Sequence, residues 1–385
     1  MTTPRLYLDY NATAPLRSEA REAVLAAIDR PTNASSVHDE GRRAKRIIEA
    51  ARADVGRLVG TMAGNVTFTS GATEANATAL TPDYVRDGKP LRATHLVVTA
   101  VEHPSALKSP RFAPEVTRQA AVDADGVVDL AVLKRMLGDI AAEGGLPLVA
   151  CQLANNETGV IQPVAEVASL VRAVDGILHC DAVQAAGRIP VDIFALGVDT
   201  LSLSAHKIGG LQGAGALVLT PRQSHPMPLI VGGGQEGGRR GGTEPVAAIA
   251  AFGAAARAVL GELPVMTEVA ARRDRLEAMI LSDSNDVTIF ARDRIRLPNT
   301  IGLAVEGLVA ETAVIAFDLA GVALSSGSAC SSGKVAASHV LKAMGVAPDF
   351  LKGGLRISLG AGTADADIAR FEDIWHRVIR QVRRR

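Results

Sequence analysis

The chain has 385 residues, 48% hydrophobic and 21% charged, with no formal net charge, the make-up of an ordinary globular protein too long for one small core. Aromatic residues are only 3% of the total and no basic stripe interleaves with them, which argues against nucleic acid as a partner. No apolar run is long enough to span a bilayer, the start Met1-Thr2-Thr3-Pro4-Arg5 lacks a signal-like core, and Cys151, Cys180 and Cys330 are too scattered for a disulfide framework or a zinc site. The expectation is a reduced, cytoplasmic protein with no membrane and no metal.

Taken in order, Leu16, Ala20, Val24 and Ile28 share one helical face after Pro15, and Ile47, Ala51, Val55 and Leu58 share another. Short apolar runs follow at Val66–Thr69, His95–Thr99, Pro147–Cys151, Gly176–Cys180, Thr200–Ser204 and Ala214–Leu219. Strands that are apolar throughout and separated by helices predict an α/β fold whose mostly parallel sheet is covered on both faces. Beyond the glycine-rich run Gly232–Gly242, a helical stretch from Glu244 to Ser282 leads into a smaller α+β unit. Its expected elements are Val287–Ala291, Asn299–Val305, Val309–Ala320, Gly354–Leu359 and a final helix from about Asp365.

In such sheets the chemistry sits past the strand carboxyl ends, and the polar clusters fall there. Ser70-Gly71-Ala72-Thr73 suits an anion at a helix N-terminus, or simply a helix cap. His103 can stack on a planar group or move protons, although a lone histidine is more often just a satisfied polar residue. Asn155-Asn156-Glu157-Thr158-Gly159 offers amide donors or an Asx-type turn. Asp181 ends an apolar strand with Gln184 one turn later, fitting a protonated pyridine nitrogen and a phenolic oxygen, or an N-cap. Ser204-Ala205-His206-Lys207 adds phosphate ligands and an imine-forming amine. Phosphate donors, a pyridinium partner and a lysine together describe a pyridoxal 5'-phosphate site. Arg356, on a short strand, suits a carboxylate or an ordinary ion pair. Cys330 lies among small polar residues in Ser325–Lys334, the setting of a thiol on a mobile loop rather than of core filler.

These motifs, above all Ser204–Lys207 and Ser326-Gly327-Ser328-Ala329-Cys330-Ser331-Ser332, resemble the cysteine desulfurases of the NifS/IscS type, within the class V aminotransferase branch of fold-type I pyridoxal phosphate enzymes. The resemblance implies a large domain over 16–255 with a seven-stranded-type sheet, and a small domain from 1–15 and 256–385 carrying the cysteine loop. It implies that Lys207 holds the cofactor and moves the Cα proton, Asp181 pairs with the pyridine nitrogen, Gln184 with the ring oxygen, and His103 stacks on the ring. Ala72, Thr73, Ser204 and His206 would bind phosphate, joined by Thr243 from the second copy of a homodimer; Asn156 would lie beside the cofactor. Asn33 and Arg356 would hold the carboxylate of L-cysteine, and Cys330 would take its sulfur, leaving L-alanine. The sulfur would pass to an Fe–S scaffold or a thiolation protein. Alternatives are a selenocysteine lyase, a transaminase, or a catalytically weak assembly protein. The chain departs from the family pattern at Leu211-Gln212, Ala34 and Ala336-Ala337, where the family usually has Pro-Lys, Pro and Glu-Pro.

Overall fold

Runs that are apolar along their whole length need cover on both faces, and the fold supplies it. The protein is described from a computed structural model covering residues 5–31, 33–109, 111–220, 224–283, 286–327 and 337–383. Seven strands form the main sheet: β1 (Val66–Thr69), β2 (His95–Thr99), β3 (Thr117–Ala120), β4 (Pro147–Ala150), β5 (Ile177–Asp181), β6 (Thr200–Ser204) and β7 (Gly215–Leu219). Their order across the sheet is β1-β7-β6-β5-β4-β2-β3. The β6-β5-β4-β2-β3 pairings are parallel, whereas β7 runs antiparallel to both neighbours.

One face is covered by helices α1 (Ser18–Ile28), α2 (Asp39–Leu58) and α4 (Val246–Glu262); on the other, the short α3 (Ala72–Ala79) that follows β1 packs Ala75 and Ala79 against Leu217 and Leu219. In α2 the expected stripe holds at Ala51, Val55 and Leu58, which are buried, but not at Ile47, which is half-buried while its neighbour Ile48 takes the inward position. In α1 it is narrower than expected. Ala20 and Ala27 face inward, while Leu16, ahead of the helix, and Ile28, at its end, are exposed. Gly253 lets α4 approach α2 closely; a Cβ there would sit 2.5 Å from the Ala51 Cα. By length and composition the run Val246–Asp283 could cross a membrane. In the fold a 3-10 turn at Leu263–Val265 divides it, and Ile249, Phe252, Ala255 and Val259 lie in the main core.

A second apolar cluster gathers Leu6 and Leu8 with residues between Met266 and Ile379. It packs on an antiparallel sheet ordered Val287–Ile289, Thr300–Val305, Gly354–Ser358 and Ser325–Ser326. Phe317, Phe371 and Trp375 pack against one another at its centre, with centroids 5.7–5.9 Å apart. The N-terminal strand Leu6–Tyr7 pairs in parallel with Val322–Ala323, and Asp9 bridges to Ser358. The first residues of the chain therefore join the last third.

Candidate active site

The turns leaving the carboxyl ends of β1, β2, β4, β5 and β6 converge on one cleft of about 400 Å³. Ala72, Thr73, His103, Asn156, Asp181, Gln184, Ser204, His206 and Lys207 all line it, and Arg356 enters from the second sheet. Asn33 is not brought there, and Thr243, expected from a second copy of the chain, does not line this chain's own cleft. Asn33 lies on an exposed turn, where its Oδ1 accepts from the Ser35 N–H (3.0 Å), and Thr243 is exposed after the glycine-rich run. Cys330 falls outside the described residues. Cys151 and Cys180 are fully buried, and burial pushes both thiols far up. They behave as apolar filler.

Lys207 follows β6 in a short 3-10 turn, and its Nζ donates to the carbonyls of Asn11 (2.7 Å) and Ala12 (2.8 Å). The N-terminal segment thus holds the amine in the cleft. The next residue back, His206, has Nδ1 3.2 Å from Thr13 Oγ1; burial, with the Lys207 charge adding to it, pushes the imidazole down to about 4. It is neutral at physiological pH. Gln184 is oriented at both ends, donating to the Asn11 carbonyl (3.1 Å) and accepting from Arg188 Nη1 (2.6 Å).

Asp181 is both a turn-former and a cleft residue. Its Oδ1 accepts from the Val183 N–H (3.0 Å) and its Oδ2 from Asn76 Nδ2 (2.8 Å). His103 starts the short helix Pro104–Leu107; its Nδ1 accepts from the Ser105 N–H (3.2 Å) and lies 2.7 Å from Ser105 Oγ. Burial lowers its pKa, with Asp181 pulling the other way.

At the far end Ser70, Gly71, Ala72 and Thr73 meet Ser204, His206, Gln212, Gly213 and Ala214. Glu74 fixes the turn by accepting from the Ser70 N–H (2.8 Å) and from Arg240 (3.0 Å). Gly215 makes room for it, since a Cβ there would lie 2.5 Å from the Gly71 carbonyl carbon. The result is a cradle of backbone N–H groups and hydroxyls, the donor chemistry of a phosphate monoester. The glycine-rich run beside it is tethered. Glu236 pairs with Arg52 (2.5 and 2.8 Å) and accepts from the Phe68 N–H (2.8 Å).

Opposite, Arg356 is 2% exposed. It donates to Asp9 (2.7 Å) and to the Asn156 carbonyl (3.1 Å), and its buried Nε has no partner among the described residues. Glu157, beside it in sequence from Asn156, is buried and accepts from Ser338 Oγ (2.6 Å). Burial pushes its carboxyl up to about 7, against the pull of that hydrogen bond and of Arg356.

The aminotransferase class-V family matches residues 6–371. This chain belongs to that family. A cysteine desulfurase of Enterobacter agglomerans is 37% identical over 94% of this chain and 90% of its own length. The cysteine desulfurase IscS of Dictyoglomus turgidum is 35% identical over 98% and 95%. Among solved structures, a NifS-like protein from Rickettsia africae superposes with a TM-score of 0.87 at 33% identity, covering 98% of this chain and 99% of that one. The resemblance to the NifS/IscS desulfurases and the fold it implied are therefore borne out. The selenocysteine-lyase and transaminase alternatives are not favoured.

Several cleft residues escaped the sequence reading: Asn11, Ala12, Ser105, Gln152 and the buried Asn76 behind Asp181. Asn76 had a readable signal, being one helical turn past Thr73 and so on the same face. Ser105 sits two residues past His103. Toward Lys207, Asn11 and Ala12 act through backbone carbonyls, which carry no side-chain signature.

Proposed function

We propose that this chain is a pyridoxal-phosphate-dependent cysteine desulfurase. Supporting the cofactor are the amide-and-hydroxyl cradle at Ser70–Thr73, the fixed carboxylate of Asp181 and the enclosed amine of Lys207 in one cleft. When bound, pyridoxal phosphate supplies an electron sink for the pair released at the substrate Cα. Lys207 anchors it and moves the Cα proton on Nζ. Asp181 keeps the pyridine nitrogen protonated, Gln184 bonds the ring oxygen, His103 covers the ring and Asn156 lies beside it. Ala72, Thr73, Ser204 and His206 hold the phosphate, with Thr243 supplied by the second copy of a homodimer. The carboxylate of L-cysteine goes to Arg356 and Asn33, and the unmatched Nε of Arg356 supports its part in this.

The Cys330 thiolate then attacks the substrate sulfur. An S–S bond forms as the substrate Cβ–S bond breaks, its electron pair goes to Cβ, which takes up a proton, and Lys207 returns the other proton to Cα, so that the product leaves as L-alanine. The persulfide on Cys330 passes its sulfur to an Fe–S scaffold or thiolation protein in the cytoplasm. The two apolar cores support the division into a large domain over 16–255 and a small one from 1–15 and 256–385, apart from Ala256, Val259 and Leu297, which pack in the main core.

The observation that carries this reading is the meeting of Lys207, Asp181 and Arg356 in one cleft. Its test is to purify the protein with pyridoxal phosphate and assay alanine and sulfide from L-cysteine. Cys330→Ser should keep the cofactor's visible absorption and lose sulfide release, while Lys207→Ala should lose the normal band. Sulfide release by Cys330→Ser at the unaltered rate would overturn the role of the thiol.

A further inference from the structure

Asn76 has no place in the roles above, yet it is fully buried behind the cleft and bonded at both ends of its amide. Nδ2 donates to Asp181 Oδ2 (2.8 Å) and to Ser105 Oγ (2.9 Å), while Oδ1 lies 2.9 Å from His179 Nε2. His179 Nδ1 lies 2.8 Å from Thr200 Oγ1. His179, Thr200 and Asn76 are each 0–1% exposed, so water does not compete.

The amide has one workable orientation, assigned from its partners as such groups must be. Turned the other way, its oxygen would face the Asp181 carboxylate, acceptor against acceptor, in a buried site. With the nitrogen toward Asp181, every neighbour's direction follows. Ser105 Oγ accepts from Asn76 and spends its own proton on His103 Nδ1 (2.7 Å). The Ser105 N–H also donates to that nitrogen (3.2 Å), so neutral His103 keeps its proton on Nε2. On the other side the amide oxygen only accepts, so His179 also carries its proton on Nε2, and Thr200 donates to Nδ1. Burial pushes His179 down to about 4, which keeps it the neutral ring this scheme needs.

We propose that Asn76 is a positioning residue that sets the direction of the hydrogen bonds beneath the cleft, one amide fixing the Asp181 carboxylate and, through Ser105, the tautomer of His103. The inference rests on reading Asp181 and His103 as cofactor contacts. One side chain then governs both the group facing the pyridine nitrogen and the group covering the ring. Bonds that run in one direction through a dry interior also reinforce one another.

The test uses full-length protein in two states: ¹⁵N-histidine NMR without cofactor, and titration with pyridoxal phosphate followed by absorbance. In the wild type, His103 and His179 should both show a protonated Nε2. Asn76→Leu, of similar volume, should release His179 into a mixture of tautomers and weaken pyridoxal phosphate binding about tenfold, the size expected for one charged hydrogen bond. Ser105→Ala should move the His103 signals and leave those of His179 in place. Asp181→Asn is the reference arm. If it binds pyridoxal phosphate like the wild type, the reading of Asp181 fails. If it binds weakly while Asn76→Leu keeps wild-type affinity, with or without a change at His179, the positioning role is overturned. Should Asn76→Leu not fold, Asn76→Ser, too short to bridge these partners, carries the same two measurements.

Discussion

The floor of the cleft and the edge where the two sheets meet are built on opposite plans. On the floor, Asp181, Asn76, His179 and Thr200 each find partners and Lys207 Nζ is held between two carbonyls, although Ser202 Oγ has no partner among the described residues. At the edge, Arg356 Nε and Glu102 Oε2 have no partner among the described residues, and Glu157 has a carboxyl raised to about 7. Arg356, Glu102 and Glu157 are buried, as Asn76, His179 and Thr200 are, so between these groups the difference is not one of solvent. A buried polar group without a partner costs stability, and it persists where an incoming molecule completes it. On the proposed function, the floor is preorganised to hold the cofactor, and Arg356 at the edge is left ready for the substrate carboxylate.

The strongest way to break this contrast is at Arg356. Arg356→Ala should lower kcat/KM for L-cysteine about 100-fold, chiefly through KM, because charge-assisted hydrogen bonds to the substrate carboxylate are lost. Steady-state kinetics decides it, and an unchanged KM would detach the unmatched Nε from substrate binding. On the floor, Gly215→Ala should drive the Gly71 turn out of place. Overpacking of this kind costs about 1–3 kcal/mol, read by denaturant unfolding, and affinity for pyridoxal phosphate should fall with it.

Glu102 sharpens the contrast by pH. Burial pushes its carboxyl up to about 8, against hydrogen bonds from Thr99 Oγ1 and the Gln152 N–H. The folded state therefore keeps a proton that the unfolded chain has already lost. The stability this contributes is complete below the ordinary glutamate range and is lost as pH rises through about 8. Glu102→Gln should flatten the decline of Tm across that window, and a decline identical to the wild type would remove Glu102 as its source. The smallest effect is expected at Ser338, which caps the helix His339–Ala343 and donates to Glu157. Ser338→Ala should cost about 1 kcal/mol, measured by the same unfolding curves.

Much of this architecture is legible in the sequence because burial on both faces writes itself as unbroken apolar runs. Val66–Thr69, His95–Thr99 and Thr200–Ser204 are strands with the expected bounds. The edge strand Thr117–Ala120 left no such trace, since Thr117 and Arg118 are half-buried and Gln119 is exposed. Nor does composition show direction: Gly215–Leu219 is as apolar as its parallel neighbours but runs against them. Within the site, side chains with distinctive chemistry stand out in the sequence, as Lys207 and Asp181 do. Groups that act by backbone, or by orienting another residue, do not. Asn11 and Asn76 belong to those kinds.

The ion pair between Asp9 and Arg356 joins residues 347 positions apart. During synthesis the N-terminal segment emerges first, and its partner emerges almost last. Neither the Leu6–Tyr7 strand, which waits for Val322–Ala323, nor Asp9 can settle until then. Contacts of such long sequence separation make folding slow. A chain cut short before Gly354 would contain Lys207, Asp181 and the whole phosphate cradle yet lack the wall opposite them. Completeness of the polypeptide is thus written into the geometry of the site.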